Sequence, residues 1–186
     1  MCLDLLEHIK NDKNVFKHVI IGDETWILEY NPDTKRQSSE WQTSNSPRPK
    51  KAKMSKSKIK TMLICFFDSQ GVHKEFVPQG QTVNKQYYRE FFERLRKRVH
   101  RVRAEIAETW MLHHDSTPCH TAISVNKFLA KQGISVVPQP PYLPDLSTCD
   151  FFLFPKLKFH LKGRHFGTVD NIQKAVTNQL RALLRT

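Results

Sequence analysis

Three aspartates constrain this chain more than any other feature. Asp23 in IIGDETWI and Asp115 in WMLHHDST each end an apolar, strand-like run, whereas Asp150 in LSTCDFFLF opens an apolar, helix-like one. Thirty-four residues lie between the last two. An α/β sheet could bring such positions to one edge, where three carboxylates would repel one another unless divalent cations such as Mg²⁺ or Mn²⁺ neutralised them. A metal pair held in this way cleaves or joins phosphodiesters. Taken singly, each aspartate has a plainer explanation. Asp23 and Asp115 suit turns that follow strands, and Ser147-Thr148-Cys149-Asp150 fits the capping box that starts a helix.

Charge supports a polyanionic partner. Thirty Lys and Arg against eighteen Asp and Glu leave a formal net charge of +12, an excess that favours nucleic acid through release of condensed counterions. At 186 residues the chain suits one α/β domain, and that size buries a sizeable core. Cys2, Cys65, Cys119 and Cys149 form no CxxC pair, and MCLDLLEHIKNDKN alternates charged with apolar residues, unlike a secretory leader. Reduced thiols in a nuclear or cytosolic setting fit this usage. No stretch approaches the roughly 20 apolar residues of a membrane span.

Periodicity predicts a short amphipathic helix over residues 2–17, then strands at about 17–23 and 25–30. Residues 31–58 are polar, proline-containing and basic, which predicts an inserted loop, because unstructured stretches of this length inside compact domains usually bind something. IKTMLICFFD and VHKEFVP, joined by SQG, read as a hairpin. From Val83 to Ile106 apolar residues recur at helical spacing. A strand in TWMLHHD, a helix ended by Gly133, a strand in ISVVP and a last helix over VDNIQKAVTNQLRALL complete a β-β-β-α-β-α-β-α order. Antiparallel strands followed by parallel α/β units predict a mixed central sheet flanked by helices. Pro155 lies eight residues beyond Ser147, so the helix there must kink or start late. Phe66, Phe67, Phe151, Phe152 and Phe154 could stack on bases, but on apolar strand and helix runs they read as core residues, Phe152 the weakest of them.

The stretches IIGDETWILEYNPDTKRQSSEWQ, SPRPKKAK, MLHHDSTPCHTA and VVPQPPYLPDLSTCDFFLFPKLKFHL resemble, in order and spacing, the catalytic domain of mariner-type transposases. That family carries one Asp in a GDE-W motif, a second in HDNA-x-PH and a third in PPYSPDLxPxD. Asp23, Asp115 and Asp150 occupy those positions. The resemblance implies an RNase H-like α/β fold over residues 1–186, with 31–58 as a basic clamp-like loop and the N-terminal helix-turn-helix region absent. It implies two Mg²⁺ or Mn²⁺ ions bridged by Asp23 and completed by Asp115 and Asp150. It also implies cleavage of transposon-end DNA, joining to a target TA site, a nuclear location and a homodimer braced by the clamp loop. Arg48, Lys50, Lys51 and Lys53 are the expected DNA contacts of that loop.

Several positions depart from the family pattern. Ser116 replaces an amide, Cys119 a proline, Leu143 a serine and Thr148 a proline. The changes at Ser116 and Cys119 favour the alternative of a catalytically inactive DNA-binding or interaction remnant. A third alternative is an RNase H-type hydrolase of RNA–DNA hybrids. HHDSTPCH lacks the paired spacing of a structural zinc site. One of His113 and His114 is expected to orient Asp115 while the other faces the core, and Glu24 is expected on the strand face opposite Asp23.

Overall fold

A computed structural model describes residues 15–34, 36–39, 55–137, 139 and 147–183. The short helix α1 (Val15–His18) leads into β1 (Val19–Leu28), which is one continuous strand and not two. The rest of the expected first helix lies outside the described residues, as do Arg48, Lys50, Lys51, Lys53 and the whole PPYLPD stretch. Next come β2 (Lys60–Phe67), β3 (Val72–Val77), α2 (Lys85–Val102), β4 (Met111–His113), α3 (Ile123–Lys131) and β5 (Ser135–Val137). A π-helical segment, Cys149–Leu153, runs directly into α4 (Phe154–Leu161), and α5 (Val169–Leu183) follows.

The five strands form one sheet in the order β3-β2-β1-β4-β5. β1 pairs antiparallel with β2 and parallel with β4, and β4 pairs parallel with β5. This is the mixed sheet expected from sequence. The period of two along β1 and β2 divides their side chains between two cores. Ile20, Ile64 and Phe66 join Tyr88, Phe91, Phe92, Leu95, Leu112 and Leu129 on the face covered by α2 and α3. Ile27, Leu63 and Cys65 join Leu153, Phe154, Leu157, Ile172, Val176 and Leu180 on the face covered by α4 and α5.

Local chemistry sets the ends of these elements. Asn84 caps α2, its side-chain oxygen accepting from the backbone N–H groups of Gln86 and Tyr87 at 3.1 and 2.9 Å. The same helix stops earlier than its apolar period suggests. Val102 is 56% exposed, and the chain tightens into a 3₁₀ turn that returns Ile106 to the core. Gly133, at φ +70°, closes α3 in a conformation that costs a residue with a Cβ.

Gly22 is required for a different reason. It pairs with Phe66 across the β1–β2 ladder, and a Cβ built at Gly22 would fall within the buried Phe66 ring. The ring lies flat over the strand next to Asp23 because no side chain stands there. Gly22→Ala is expected to lower unfolding free energy by about 1–3 kcal/mol through overpacking, measurable by urea denaturation. An unchanged midpoint would mean that Phe66 moves aside at no cost.

One half-buried ion pair ties α2 to the sheet edge. Glu75 on β3 accepts from Arg94 Nε at 3.0 Å and Nη2 at 2.7 Å, and lies 3.2 Å from His73 Nε2. Burial opposes its charge, but His73 and Arg94 outweigh burial and bring its pKa down to about 2, from an ordinary value of 4.5. Because the folded value is depressed, the stabilisation is present above about pH 4.5 and lost as pH falls through about 2. Arg94 is 44% exposed, so the pair contributes about 1 kcal/mol at most. The stability gap between the wild type and Arg94→Gln is therefore expected to be largest at pH 7 and to close in acid. A gap that stayed constant down to pH 2 would exclude the ion pair as its source.

Candidate metal centre

Strand lengths create the site. β4 pairs with β1 only over Val19–Ile21 and ends at His113, whereas β1 continues to Leu28. Asp23 therefore lies within β1, not at its end as the sequence suggested, paired with Cys65 on β2 but with no partner on the β4 side. The chain leaving β4 carries Asp115 into this gap, at the carboxyl ends of two parallel strands, where α/β sheets commonly bind ligands.

Asp150 arrives from the opposite layer. The expected capping box does not form: no side chain caps the π-helical segment, and the Ser147 carbonyl accepts from the Asp150 N–H at 2.9 Å. The helix expected to kink or start late at Pro155 does neither: it widens. The Phe154 N–H reaches back five residues to the Cys149 carbonyl, and the π-turn ends where Pro155, which has no N–H, enters the first turn of α4. The widened turn packs against β1 and brings the Asp150 carboxyl within hydrogen-bonding reach of Asp23.

Electrostatics mark this pair as uncompensated. Burial, with Glu24, Asp150 and Asp115 adding negative charge, raises the Asp23 pKa to about 7, although the Glu24 N–H donates to its Oδ1 at 2.7 Å. Burial also raises Asp150. Lys158 is close enough to interact with both carboxylates, but burial depresses its own pKa.

Asp115 is held differently. His120 Nδ1 lies 2.5 Å from Asp115 Oδ1, the Thr117 N–H donates to the same oxygen at 3.2 Å, and the Thr117 hydroxyl donates to Oδ2. Burial opposes the charge on Asp115, yet these donors keep its pKa well below the carboxylate range. His120 is fully buried, stacks on Tyr88 at 3.9 Å and 17°, and sets Nε2 3.4 Å from Glu24 Oε2. Burial disfavours its charge, but Asp115 and Glu24 raise its pKa to about 9. A protonated imidazole thus joins two acidic side chains that belong to opposite faces of the sheet edge.

This arrangement corrects half of the expectation for the adjacent histidines: His114 faces the core beside Tyr88 and Phe92, but neither histidine orients the Asp115 carboxylate. His113 Nδ1 meets the Val137 carbonyl at 3.1 Å, and His114 Nδ1 meets the Asp115 backbone carbonyl at 2.8 Å. Neither contact reaches the Asp115 carboxylate, because both histidines precede the turn and are spent on backbone groups. His120 re-approaches through the turn at residues 118–120. Glu24 does lie on the face opposite Asp23, beside Tyr88 and His120. Phe151 and Phe152 are also corrected: at 58% and 48% exposure they are surface residues, because the π-turn directs Leu153 and Phe154 inward instead. Phe66 is core as expected, and Phe67 is partly buried.

The donor set suits a hard divalent cation. Asp23 and Asp150 offer carboxylate oxygens, and a carboxylate has about four lone-pair sites, so Asp115 keeps accepting capacity beyond its bonds to His120 and Thr117. Among the described residues, His114, Asp115 and His120 also bring ligand-type atoms within 4.8 Å of one another. His120 already uses Nδ1 on Asp115, which makes it a supporting residue for that carboxylate and not a competing ligand. Cys65, Cys119 and Cys149 are free thiols, and burial raises Cys65 to about 12, so it stays protonated.

The mixed sheet with Asp23, Asp115 and Asp150 gathered at the β1/β4 edge is an RNase H-like arrangement. Comparison with known proteins narrows this. Residues 31–109 match the family model for "Transposase (partial DDE domain)". The chain is 29% identical over 177 residues to the Mariner Mos1 transposase of Drosophila mauritiana, covering 93% of this chain and 50% of that protein. It is 25% identical over 160 residues to the human histone-lysine N-methyltransferase SETMAR, covering 84% of this chain and 23% of that one. Among solved structures, the catalytic domain of Mos1 transposase superposes with a TM-score of 0.76 at 26% identity, over 97% of this chain and 78% of that one. The Mos1 paired-end complex with Mn superposes with a TM-score of 0.86 at 28% identity, over 97% and 53%. These likenesses support a mariner-type transposase catalytic domain, and the chain spans half the length of its Mos1 relative.

Proposed function

We propose that this chain is the catalytic part of a mariner-like transposase and performs metal-dependent DNA strand cleavage and strand transfer through Asp23, Asp115 and Asp150. The reading rests on one observation above the rest: the partly buried Asp23 carboxylate lies against that of the exposed Asp150, with a third, Asp115, beside them. Mos1 structures with Mn and with Mg support a divalent cation as the missing charge. Asp23, Asp115 and Asp150 would hold the ions, two in number in this reading. When bound, they would supply the activation of water or a 3′-hydroxyl and the stabilisation of a leaving oxygen.

The residues of the chain do the rest. The His120 and Thr117 bonds keep Asp115 ionised and fixed in rotamer, which presents its free lone pairs in one direction. Gly22 and Phe66 keep the β1 backbone beside Asp23 rigid. The π-turn sets how close Asp150 comes to Asp23.

The partner would be DNA, with transposon ends and a TA target as the specific substrates. The Mos1 paired-end complex with a left transposon end supports this, and also a homodimer as the working form. Action on DNA implies a nuclear location; no helix among the described residues is long and apolar enough to cross a membrane. Residues 1–186 form a single domain in this reading. Within it, 31–58 is an inserted clamp-like loop whose Arg48, Lys50, Lys51 and Lys53 contact phosphates.

Supercoiled plasmid incubated with the chain and Mn²⁺ tests the proposal. Nicked product is expected from the wild type, and at least about 100-fold less from Asp150→Ala, the scale on which misplaced catalytic groups lose rate. Equal product from both proteins would end the nuclease reading and leave a DNA-binding remnant.

A further inference from the structure

The residue after Asp150 begins a surface feature that three-metal-ligand chemistry does not use. Phe151 and Phe152 are 58% and 48% exposed, although the next two residues, Leu153 and Phe154, are each only 3% exposed. Two large exposed rings in succession beside a proposed metal ligand are unusual on a soluble surface. Their exposure comes from the π-turn, a rare distortion that clusters at functional sites. Lys156 places Nζ 5.2 Å from the centroid of the Phe152 ring.

The surrounding charge restricts what can cover these rings. Beyond the exposed Asp150, whose charge the proposed cations would neutralise, the chain from Phe151 to Val169 has Lys156, Lys158, Lys162 and Arg164 and no Asp or Glu. A second copy of a chain with net charge +12 would meet repulsion here. So would the chain's own 40–54 stretch, whose Arg48, Lys50, Lys51 and Lys53 outnumber its single acid, Glu40. A polyanion is attracted, and a flat apolar ring asks for a flat partner. Bases offer such faces only where they are unpaired, since in a duplex they are stacked on one another.

We propose that Phe151 and Phe152 form a stacking platform for unpaired bases of the DNA strand next to the phosphate at Asp150, with Lys156 neutralising the adjoining backbone. This deepens the reading of the chain as a DNA-cleaving enzyme and rests on it. A platform directly beside the metal centre would select DNA ends that are frayed or carry a single-stranded tail over intact duplex.

Fluorescence anisotropy with the full chain in Ca²⁺ tests this on a blunt duplex and on the same duplex with a 3′ tail of about four nucleotides. The wild type is expected to prefer the tailed DNA, and Phe151→Ala or Phe152→Ala to weaken that binding about tenfold while changing blunt-duplex affinity less than about twofold. Phe152→Trp should retain the preference and Phe152→Leu should lose it, because stacking needs a π face and not only apolar area. Equal wild-type affinity for both DNAs would overturn the platform. So would an equal loss on both, or full retention in Phe152→Leu. A wild-type dimer that dissociates in Phe152→Ala during sedimentation would also overturn it, by showing that a second copy covers the rings. The catalytic reading fails separately: Mn²⁺-dependent nicking that survives Asp150→Ala would remove it, while a tail preference lost only in the phenylalanine variants would leave the platform standing.

Discussion

Asp23→Asn is expected to abolish Mn²⁺-dependent nicking and, in the absence of metal, to make the protein more stable. The two effects share one cause. Asp23 is partly buried against Asp150, and burial pushes both carboxyls towards their neutral forms; the Asp150 charge adds to the rise at Asp23, whereas the hydrogen bond with Asp23 works against the rise at Asp150. Since the folded pKa of Asp23, about 7, exceeds the ordinary 3.8, metal-free stability from this residue is greatest in acid and lost as pH rises through 7. Asparagine keeps the shape and removes the buried charge. At pH 8 the metal-free variant should therefore gain about 1–3 kcal/mol, a figure discounted for relaxation of the site. With metal present the order reverses. A ligand at 100 times its dissociation constant stabilises the native state by about 2.7 kcal/mol, and the variant should forfeit that gain together with nicking. Thermal melts with and without Mn²⁺ measure both halves. An Asp23→Asn protein that melts lower than the wild type without metal, or is still stabilised by Mn²⁺ as the wild type is, would show that Asp23 is not the uncompensated carboxylate at a cation site.

The fold was legible wherever the apolar period was long. The β1–β2–β3 meander, α2 and α5 all follow from apolar runs, alternation or helical spacing. The site was legible only in part. Asp23, Asp115 and Asp150 stand out as carboxylates at the margins of apolar runs, but their convergence depends on β4 being three residues long while β1 is ten, and no local pattern encodes that difference. The exposure of Phe151 and Phe152 was hidden for a related reason. A π-turn adds a residue without changing composition, so FFLF reads as uniformly apolar although only Leu153 and Phe154 face inward. Pro155 was the available signal: its missing N–H demanded some adjustment of the preceding turn.

His120 is the residue that sequence reasoning passed over, and its removal should separate support of a metal ligand from support of the fold. Its ring fills space between Tyr88, His114 and Asp115, and its two nitrogens face the two acids, Nδ1 on Asp115 at 2.5 Å and Nε2 on Glu24 at 3.4 Å. Truncation to alanine removes packing against Tyr88 and leaves Asp115 with Thr117 as its only remaining side-chain donor among the described residues. Loss of a partner that orients a ligand typically costs about 10- to 100-fold in metal affinity, so Mn²⁺ should bind His120→Ala about that much more weakly in calorimetry. The same variant should lose about 2–4 kcal/mol of stability from the vacated volume. His120→Phe separates the two effects. Phenylalanine restores a ring that stacks on Tyr88 but offers no N–H, so much of the stability should return while Mn²⁺ affinity stays low and half-maximal nicking still demands more metal. If affinity recovered along with stability, His120 would be a core residue that merely fills space, and the Asp115 carboxylate would owe its orientation to Thr117 and the turn alone.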